Sequence, residues 1–301
     1  MRGVIRHIAI VFALSALLLC AHVSASARQS EAARVDERLK DILTRVGRSV
    51  ERYHTGLFGL AFVEALRLEE LREDMTPKKS REYVFESVVL REALSRMEGD
   101  YYADVVRRLK SVDGRAPKKG DEAERDTLKA YGDVLNFLLP GEQRLYEFSL
   151  DGEESLAGRA AFRVVMLRHP DEREPSVEWQ GHSFRVHTPM RWRFWVDAES
   201  FDVLRVESRL EAPFEFESPR VFGSLGRFGK TRKIRYERQD YTVSFRRVQL
   251  KDPDETRLVP DSAEWVTIIE GASRPRMRGT IRFSDYKRFR SDVKVIEDSE
   301  R

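Results

Sequence analysis

The histidines are the first residues to test for chemistry, because imidazole titrates closest to neutral pH. Beyond residue 27 the chain has four, at His54, His169, His182 and His187. A strand holding His182 and His187 would point them to opposite faces, since five residues is an odd spacing. No zinc-protease, nucleophile-elbow or phosphate-loop motif occurs. We therefore expect no catalytic residue, no metal site, no cofactor and no enzymatic activity. The alternative is a nucleophile and a base that meet only in the folded chain.

Acidic residues occur as adjacent pairs at Glu69-Glu70 and Glu153-Glu154, where a carboxylate dyad would have to form. Adjacent residues on a strand face opposite ways, so neither pair brings its two carboxyl groups together as acid–base chemistry requires. We expect both pairs to lie on solvated surface.

Aromatic and basic residues mix in residues 213–233 around three glycines. In such a loop the aromatic rings enter apolar space while the basic groups meet phosphates, which predicts a position over a hydrophobic cavity or on an anionic membrane. The alternative is a loop that packs back on its own sheet. The predicted ligand-binding residues are Phe214, Phe216, Phe222 and Phe228, and the predicted contacts with the membrane or with lipid head groups are Arg227 and Lys230.

Two helices and three strands are predicted in the first half of the chain. The helices have apolar residues at three- and four-residue spacing, and the strands are rich in aromatic and β-branched residues. The predicted helices cover residues 30–54 and 121–138, and the predicted strands cover residues 57–73, 81–93 and 101–112. Residues 66–72 are also rich in leucine and glutamate, so a helix is a competing prediction there.

The second half is predicted to be mostly strand. The strands cover residues 143–150, 159–168, 183–187, 191–196, 203–210, 232–248, 262–270 and 278–290. Tyr241, Val243 and Phe245 alternate with polar neighbours, as on an antiparallel sheet with one buried face. Strands that follow one another without crossover helices argue against a parallel α/β fold. The predicted fold class is α+β: a curved antiparallel β-sheet, an unclosed half-barrel, that wraps the N-terminal and central helices.

The first 27 residues predict a secretory signal peptide, with a basic start, an apolar run and a cleavage site at Ala25-Ser26-Ala27. The apolar run is too short to span a membrane. Cleavage leaves residues 28–301 as a single domain in the periplasm or outside the cell. Cys20 offers a lipid anchor as the alternative, but Leu19 stands before it where such cleavage normally requires a small residue.

The charge balance argues against nucleic acid as a partner. Removing the signal peptide leaves 52 basic residues against 51 acidic ones, spread evenly along the chain. Nucleic-acid binding requires a dense positive surface.

Three segments resemble the envelope lipoprotein-carrier superfamily, which includes LolA- and LolB-like carriers, RseB regulators and LppX/LprG-type lipid carriers. They are residues 50–53 at the end of the first helix, residues 146–164, and the hairpin 194–207 around Trp195. The chain also resembles secreted bacterial proteins of unassigned function, which close on a segment like residues 283–289.

The resemblance implies a non-catalytic protein of the cell envelope that binds an apolar ligand or lipid moiety in a concave β-sheet. Its implied partners are lipid, lipoprotein acyl chains or an envelope protein, with peripheral membrane contact. Two alternatives stay open. One is an RseB-like interaction or sensor module whose concave surface binds a polypeptide, and the other is a structural domain without a ligand.

Overall fold

The computed structural model describes nine stretches of the chain. They are residues 34–91, 103–121, 134–168, 176–179, 182–185, 190–218, 232–251, 253–272 and 274–288. The chain divides into two compact units, residues 1–44 and 45–301. The described part of the first unit, residues 34–44, is helical. The second unit contains the continuation of that helix, α1, which covers residues 34–57, and all the strands. The single domain predicted for residues 28–301 stays a prediction.

The described strands follow the predicted order closely. They are β1 (Leu60–Leu71), β2 (Pro77–Arg91), β3 (Ala103–Val112), β4 (Tyr146–Leu156), β5 (Arg159–Arg168), β6 (Ser176–Trp179), β7 (His182–Arg185), β8 (Met190–Asp197), β9 (Val203–Leu210), β10 (Phe214–Ser218), β11 (Arg232–Lys251), β12 (Asp254–Glu270) and β13 (Arg276–Arg288). β5 and β9 have the predicted bounds. Residues 66–72 fall largely in β1, so the competing helical prediction there is wrong.

The main sheet has 11 strands in the order β3-β2-β1-β13-β12-β11-β9-β8-β5-β4, with β10 beside β11. All its pairings are antiparallel. β3 and β4 are its two ends, so the sheet is unclosed within the described part of the chain. The predicted antiparallel, unclosed sheet is confirmed.

The predicted pair of helices is confirmed only for α1. The predicted central helix lies outside the described residues from 122 to 133, and its last five residues are not α-helical. They contain a short 3-10 helix, Asn136–Leu138, which is followed by Leu139 in an extended conformation. Pro140 explains the extended Leu139, because the residue before a proline is driven out of the helical region. α1 itself continues to residue 57, past the predicted end near His54.

The two faces of the main sheet differ in what they bury. We call the face that carries Phe245 the helix face, because Tyr53 of α1 packs on Phe245 with ring centroids 5.6 Å apart. Val243 lies two residues earlier on the same face, opposite Ala263 of β12 and Val206 of β9. All three are fully buried. The core of the protein therefore lies on the helix face.

The opposite, outer face carries charges and one small apolar cluster of Ala161, Trp195 and Leu204. Trp195 is only 6% exposed, and its Nε1 donates to the Glu154 carboxylate. An irregularity in the β8–β9 pairing between Trp195 and Val196 turns Leu204 to this face, away from Val206. Leu204 and Val206 therefore face opposite ways at this bulge, although they lie two residues apart on one strand.

The solvated position predicted for the acidic pairs is wrong for Glu69. Its side chain is buried on the outer face, between Arg67 at 3.0 Å and Arg278 at 3.3 Å. Two arginines supply the charge that makes this burial tolerable. Its neighbour Glu70 pairs instead with Lys78 at 2.8 Å.

Candidate functional site

One end of the helix face is covered by α1. Arg45 lies over the Phe201 ring at 4.8 Å, Tyr53 packs on Phe245, and a Cβ at Gly56 would contact the Arg257 side chain at 3.4 Å. On the same face Phe194 of β8, Val206 of β9 and Val243 of β11 are fully buried. We call this region the covered end, and its apolar surface is already occupied by the protein itself.

The β8–β9 turn fastens α1 to the covered end. Ser49 donates to Asp202 Oδ1 at 2.8 Å, and Arg247 donates from Nε to Asp202 Oδ2 at 2.7 Å. Asp202 is buried, so these donors replace the water it loses. Phe201, just before it, has φ of 58°, a left-handed conformation that is costly for a bulky side chain. The contacts of Phe201 and Asp202 hold the turn in this conformation.

His54 is a second buried titratable group of the covered end, in addition to Asp202. Burial lowers its pKa to about 4, against the opposing effect of a hydrogen bond with Asn136. Its ring also meets Tyr53 edge-on at 5.4 Å. The imidazole is therefore neutral at physiological pH and packs as a core residue. His182 begins β7, and His169 and His187 lie outside the described residues.

The other end of the helix face carries aromatic side chains that stay partly accessible. Phe214 lies opposite Tyr236, and their rings stack at 4.8 Å with an interplanar angle of 10°. Phe216, two residues along β10, is 6.1 Å from Tyr236. Both phenylalanines are half-buried, whereas Tyr236 is buried and its pKa is raised by that burial. The three rings form one continuous apolar surface on β10 and β11.

Two further aromatic side chains lie on the same face, farther along β11 and β12. An irregularity between Tyr236 and Arg238 shifts the alternation of β11, so Tyr236 and Tyr241 share the helix face. Trp265 lies opposite Tyr241, and both are half-buried. We call the region formed by Phe214, Phe216, Tyr236, Tyr241 and Trp265 the aromatic end.

The outer side of the β10–β11 pair is charged. Glu215 forms an ion pair with Lys233 and another with Arg235, the second at 3.3 Å. The hydrogen bond from Lys233 is the main cause that lowers the pKa of Glu215. This hairpin thus has one aromatic face and one charged face, as expected for a segment that separates an apolar surface from water.

Two of the six predicted site residues lie at the aromatic end. Phe214 and Phe216 are strand residues in β10, so the prediction of a loop over residues 213–233 is wrong for their segment. Phe222, Phe228, Arg227 and Lys230 lie outside the described residues, and their roles stay predictions. Sequence reasoning missed β10 although Phe-Glu-Phe-Glu alternates as a strand should. It also missed Tyr236 and Trp265, which join the surface only through strand pairing.

A polar cluster crosses β1, β2 and β3 on the helix face. The fully buried Glu64 accepts a hydrogen bond from Ser87 at 2.5 Å and from Arg107 Nε at 3.1 Å. Three strands are therefore joined by one carboxylate. Among the described residues, no three histidine, cysteine or acidic side chains are grouped to hold a metal ion. No helix in that part of the chain is long and apolar enough to cross a membrane.

Comparisons with known proteins show that the chain resembles several solved structures. No protein-family model matches the chain, and no curated protein does. A domain from Vibrio parahaemolyticus named for outer membrane lipoprotein sorting is 11% identical, with a TM-score of 0.38, over 83% of this chain and 94% of that one. A DUF1329 family protein from Desulfovibrio piger is 12% identical, with a TM-score of 0.37, over 85% of this chain and 94% of that one.

A LolA superfamily protein from Nitrosomonas europaea is also 12% identical, with a TM-score of 0.29, over 81% of this chain and 94% of that one. At these identities and TM-scores the likeness carries no argument about a ligand or a site, which must come from the residues of this chain. The chain resembles LolA-superfamily and DUF1329 structures over about four-fifths of its length.

Proposed function

We propose that this protein binds an apolar ligand or lipid moiety, without catalysis, at the aromatic end of its helix face. The observation that supports the proposal is the row of half-buried rings at Phe214, Phe216, Tyr241 and Trp265. A core residue of this size is usually covered, whereas a partly exposed group of rings on one face marks a binding surface. The lipid-carrier resemblance of the sequence implies the same class of ligand.

The charged outer side of β10 gives the test its internal control. cis-Parinaric acid, a fluorescent linear fatty acid, is titrated into the wild-type protein and into Phe214→Ser, Phe216→Ser and Glu217→Gln. Each lost ring removes apolar contact worth about 1–2 kcal/mol, so the two serine variants should bind about 5- to 30-fold more weakly. Glu217 is exposed on the other side of the same strand, and its variant should bind as the wild type does.

Folding is monitored in the same samples, because Phe214 also stacks on Tyr236. Serine variants that remain folded and bind with wild-type affinity would contradict the site. A wild-type protein that binds no apolar lipid probe, linear or ring-shaped, would contradict the function itself.

The predicted loop between β10 and β11 extends this proposal. Phe222 and Phe228 are proposed to cover the bound chain, so the double variant Phe222→Ser/Phe228→Ser should weaken binding of the same probe while the fold survives. Unchanged binding would limit the site to the strands.

The proposed place of action is the cell envelope, on the strength of the predicted signal peptide. The protein recovered from its native envelope should start at Arg28 and carry no acyl group. Intact-mass measurement tests this, and an acylated Cys20 as the first residue would make the protein membrane-anchored instead.

A polypeptide-binding function is the second candidate, favoured by one observation. Val106 of the terminal strand β3 is 50% exposed, and Leu90 of its neighbour β2 is 40% exposed. A terminal strand with apolar side chains is a surface on which an extended peptide can add as a further strand. Val106→Glu would weaken capture of an extended envelope polypeptide and leave fatty-acid binding unchanged, which separates the two functions.

A further inference from the structure

The floor of the aromatic end is shaped by one glycine, Gly279 of β13, which lies opposite Trp265. A Cβ added to Gly279 would stand 1.9, 2.2 and 2.3 Å from Cζ2, Cε2 and Cη2 of the indole. Such similar short distances to three adjacent ring atoms put that Cβ above the face of the ring, since a point beyond its edge would be much farther from the outer two. The indole therefore lies flat on the Gly279 backbone.

Flat packing of an aromatic ring on a glycine stabilises a strand pair by itself. Gly279 is buried by this contact. Trp265, however, remains half-buried rather than covered. One face of the indole contacts Gly279, so the accessible part of the ring is its other face and its edge.

Leucine and tyrosine side chains lie on either side of this flat pair, so the four residues cross four strands. Leu68 of β1 lies opposite Gly279, and Tyr241 of β11 lies opposite Trp265. Four neighbouring strands span about 14 Å at the usual strand spacing. At most positions of a sheet the side chain projects away from the backbone. Here the Trp265 ring instead lies flat over Gly279, which has no side chain.

We infer that the aromatic end takes a lipid with a rigid, planar fused-ring skeleton, such as a sterol, in preference to a linear acyl chain. This inference rests on the proposed apolar-ligand function and names its ligand class. Dispersion attraction falls steeply with a gap of even 0.5–1 Å, so a flat surface is matched best by a flat partner. An acyl chain meets such a floor only along a narrow strip, and its flexibility adds an ordering cost that a rigid ring system does not have.

The test compares two fluorescent probes, dehydroergosterol as the planar ring lipid and cis-parinaric acid as the linear one. Both are titrated into the full-length protein and into Trp265→Leu, which keeps an apolar side chain but removes the flat ring. We expect dehydroergosterol to bind about tenfold more weakly to this variant, the size of effect that a lost aromatic contact gives. Binding of cis-parinaric acid should change by less than about threefold.

Gly279→Ala provides an independent second variant, because it keeps the tryptophan and lifts the ring off the backbone. It should weaken dehydroergosterol binding selectively, as Trp265→Leu does. Gly141→Ala is the matched control, since a Cβ there has nothing within 4 Å. Unfolding curves of all three variants identify any variant that fails to fold. If Gly279→Ala fails to fold, the result for Trp265→Leu decides the question.

The outcomes separate the ligand class from the function. Wild-type protein that binds cis-parinaric acid but not dehydroergosterol overturns the inference and keeps the proposed function. Equal effects of Trp265→Leu on both probes, or no effect on either, also overturn it. Binding of neither probe overturns the proposed function and the inference together.

Discussion

The two ends of the helix face are built from the same kinds of residue and differ in what lies on them. At the covered end, α1 places Tyr53 on Phe245, and Phe194 on the same face is fully buried. At the aromatic end, Phe214 and Trp265 are as large and apolar but stay half-buried. Composition alone does not distinguish the ends. The difference is whether a segment of the chain itself supplies the second layer that an apolar sheet face needs.

The covered end also contains a network of buried hydrogen bonds, which does not extend to the aromatic end. Ser49, Asp202 and Arg247 join helix, turn and sheet through hydrogen bonds with a buried carboxylate. Buried polar groups fix one arrangement because any other leaves them unpaired. The covered end is therefore expected to give stability, and the aromatic end to give binding.

The largest effect should come from truncating the covered end. Phe194→Ala should lower the free energy of unfolding by about 3–5 kcal/mol, because Phe194 is fully buried and its loss leaves a cavity. Phe216→Ala, at the half-buried aromatic end, should lower it by less than about 2 kcal/mol. Urea unfolding of the two variants measures both values, and equal losses would remove the distinction between the ends.

Acid should weaken the covered end through His54. The unfolded chain takes up a proton near pH 6.5 and the folded protein only near pH 4, so stability is complete above pH 6.5 and is lost as the pH falls towards 4. A shift of this size corresponds to about 3 kcal/mol. Urea unfolding of the wild type and of His54→Gln, each at pH 6.5 and at pH 4, separates the contribution of His54 from that of the carboxylates. An identical pH dependence in the two proteins would show that His54 is not the cause.

Most of this fold follows from local patterns in the sequence. β5 and β9 have the predicted bounds because turn residues flank clear apolar runs. The first half of β12 was missed, since Pro260 and nearby acidic residues are typical of loops. β12 tolerates that proline beside an irregularity in its pairing with β11, between Ser244 and Phe245.

The candidate site was harder to predict, because pairing rather than local sequence assembles it. Trp265 meets Gly279 only when β12 and β13 are in register, and no local signal around either residue specifies that contact. Tyr236 reaches the helix face only through the irregularity before Arg238. By contrast, Phe214 and Phe216 belong to one segment that is rich in aromatic and basic residues, which is why the sequence identified them.

A smaller effect should come from the fastening between α1 and the β8–β9 turn. Ser49→Ala removes one donor from the buried Asp202, and an unsatisfied buried acceptor costs about 1–2 kcal/mol. Thr55→Ala is the matched control, because that hydroxyl also lies in α1 but bonds only to carbonyl oxygens of its own helix at an exposed position. Chemical unfolding of both variants measures the difference. A loss in Ser49→Ala no greater than in Thr55→Ala would show that the turn is held by other contacts.

The smallest effect concerns which end of β11 meets a membrane. Arg227 and Lys230 come shortly before β11 in the sequence, and they are proposed to contact anionic head groups. A basic residue near an anionic surface contributes about 1 kcal/mol, so Arg227→Glu/Lys230→Glu should weaken binding to vesicles that contain phosphatidylglycerol, most clearly at low salt. Lys251→Glu changes the charge at the other end of the same strand, where Lys251 is exposed, and should have little effect. Vesicle co-sedimentation at low and high salt measures all three proteins. If the Lys251 variant loses as much binding as the loop variant, net charge governs the contact, and the aromatic end has no special orientation towards the membrane.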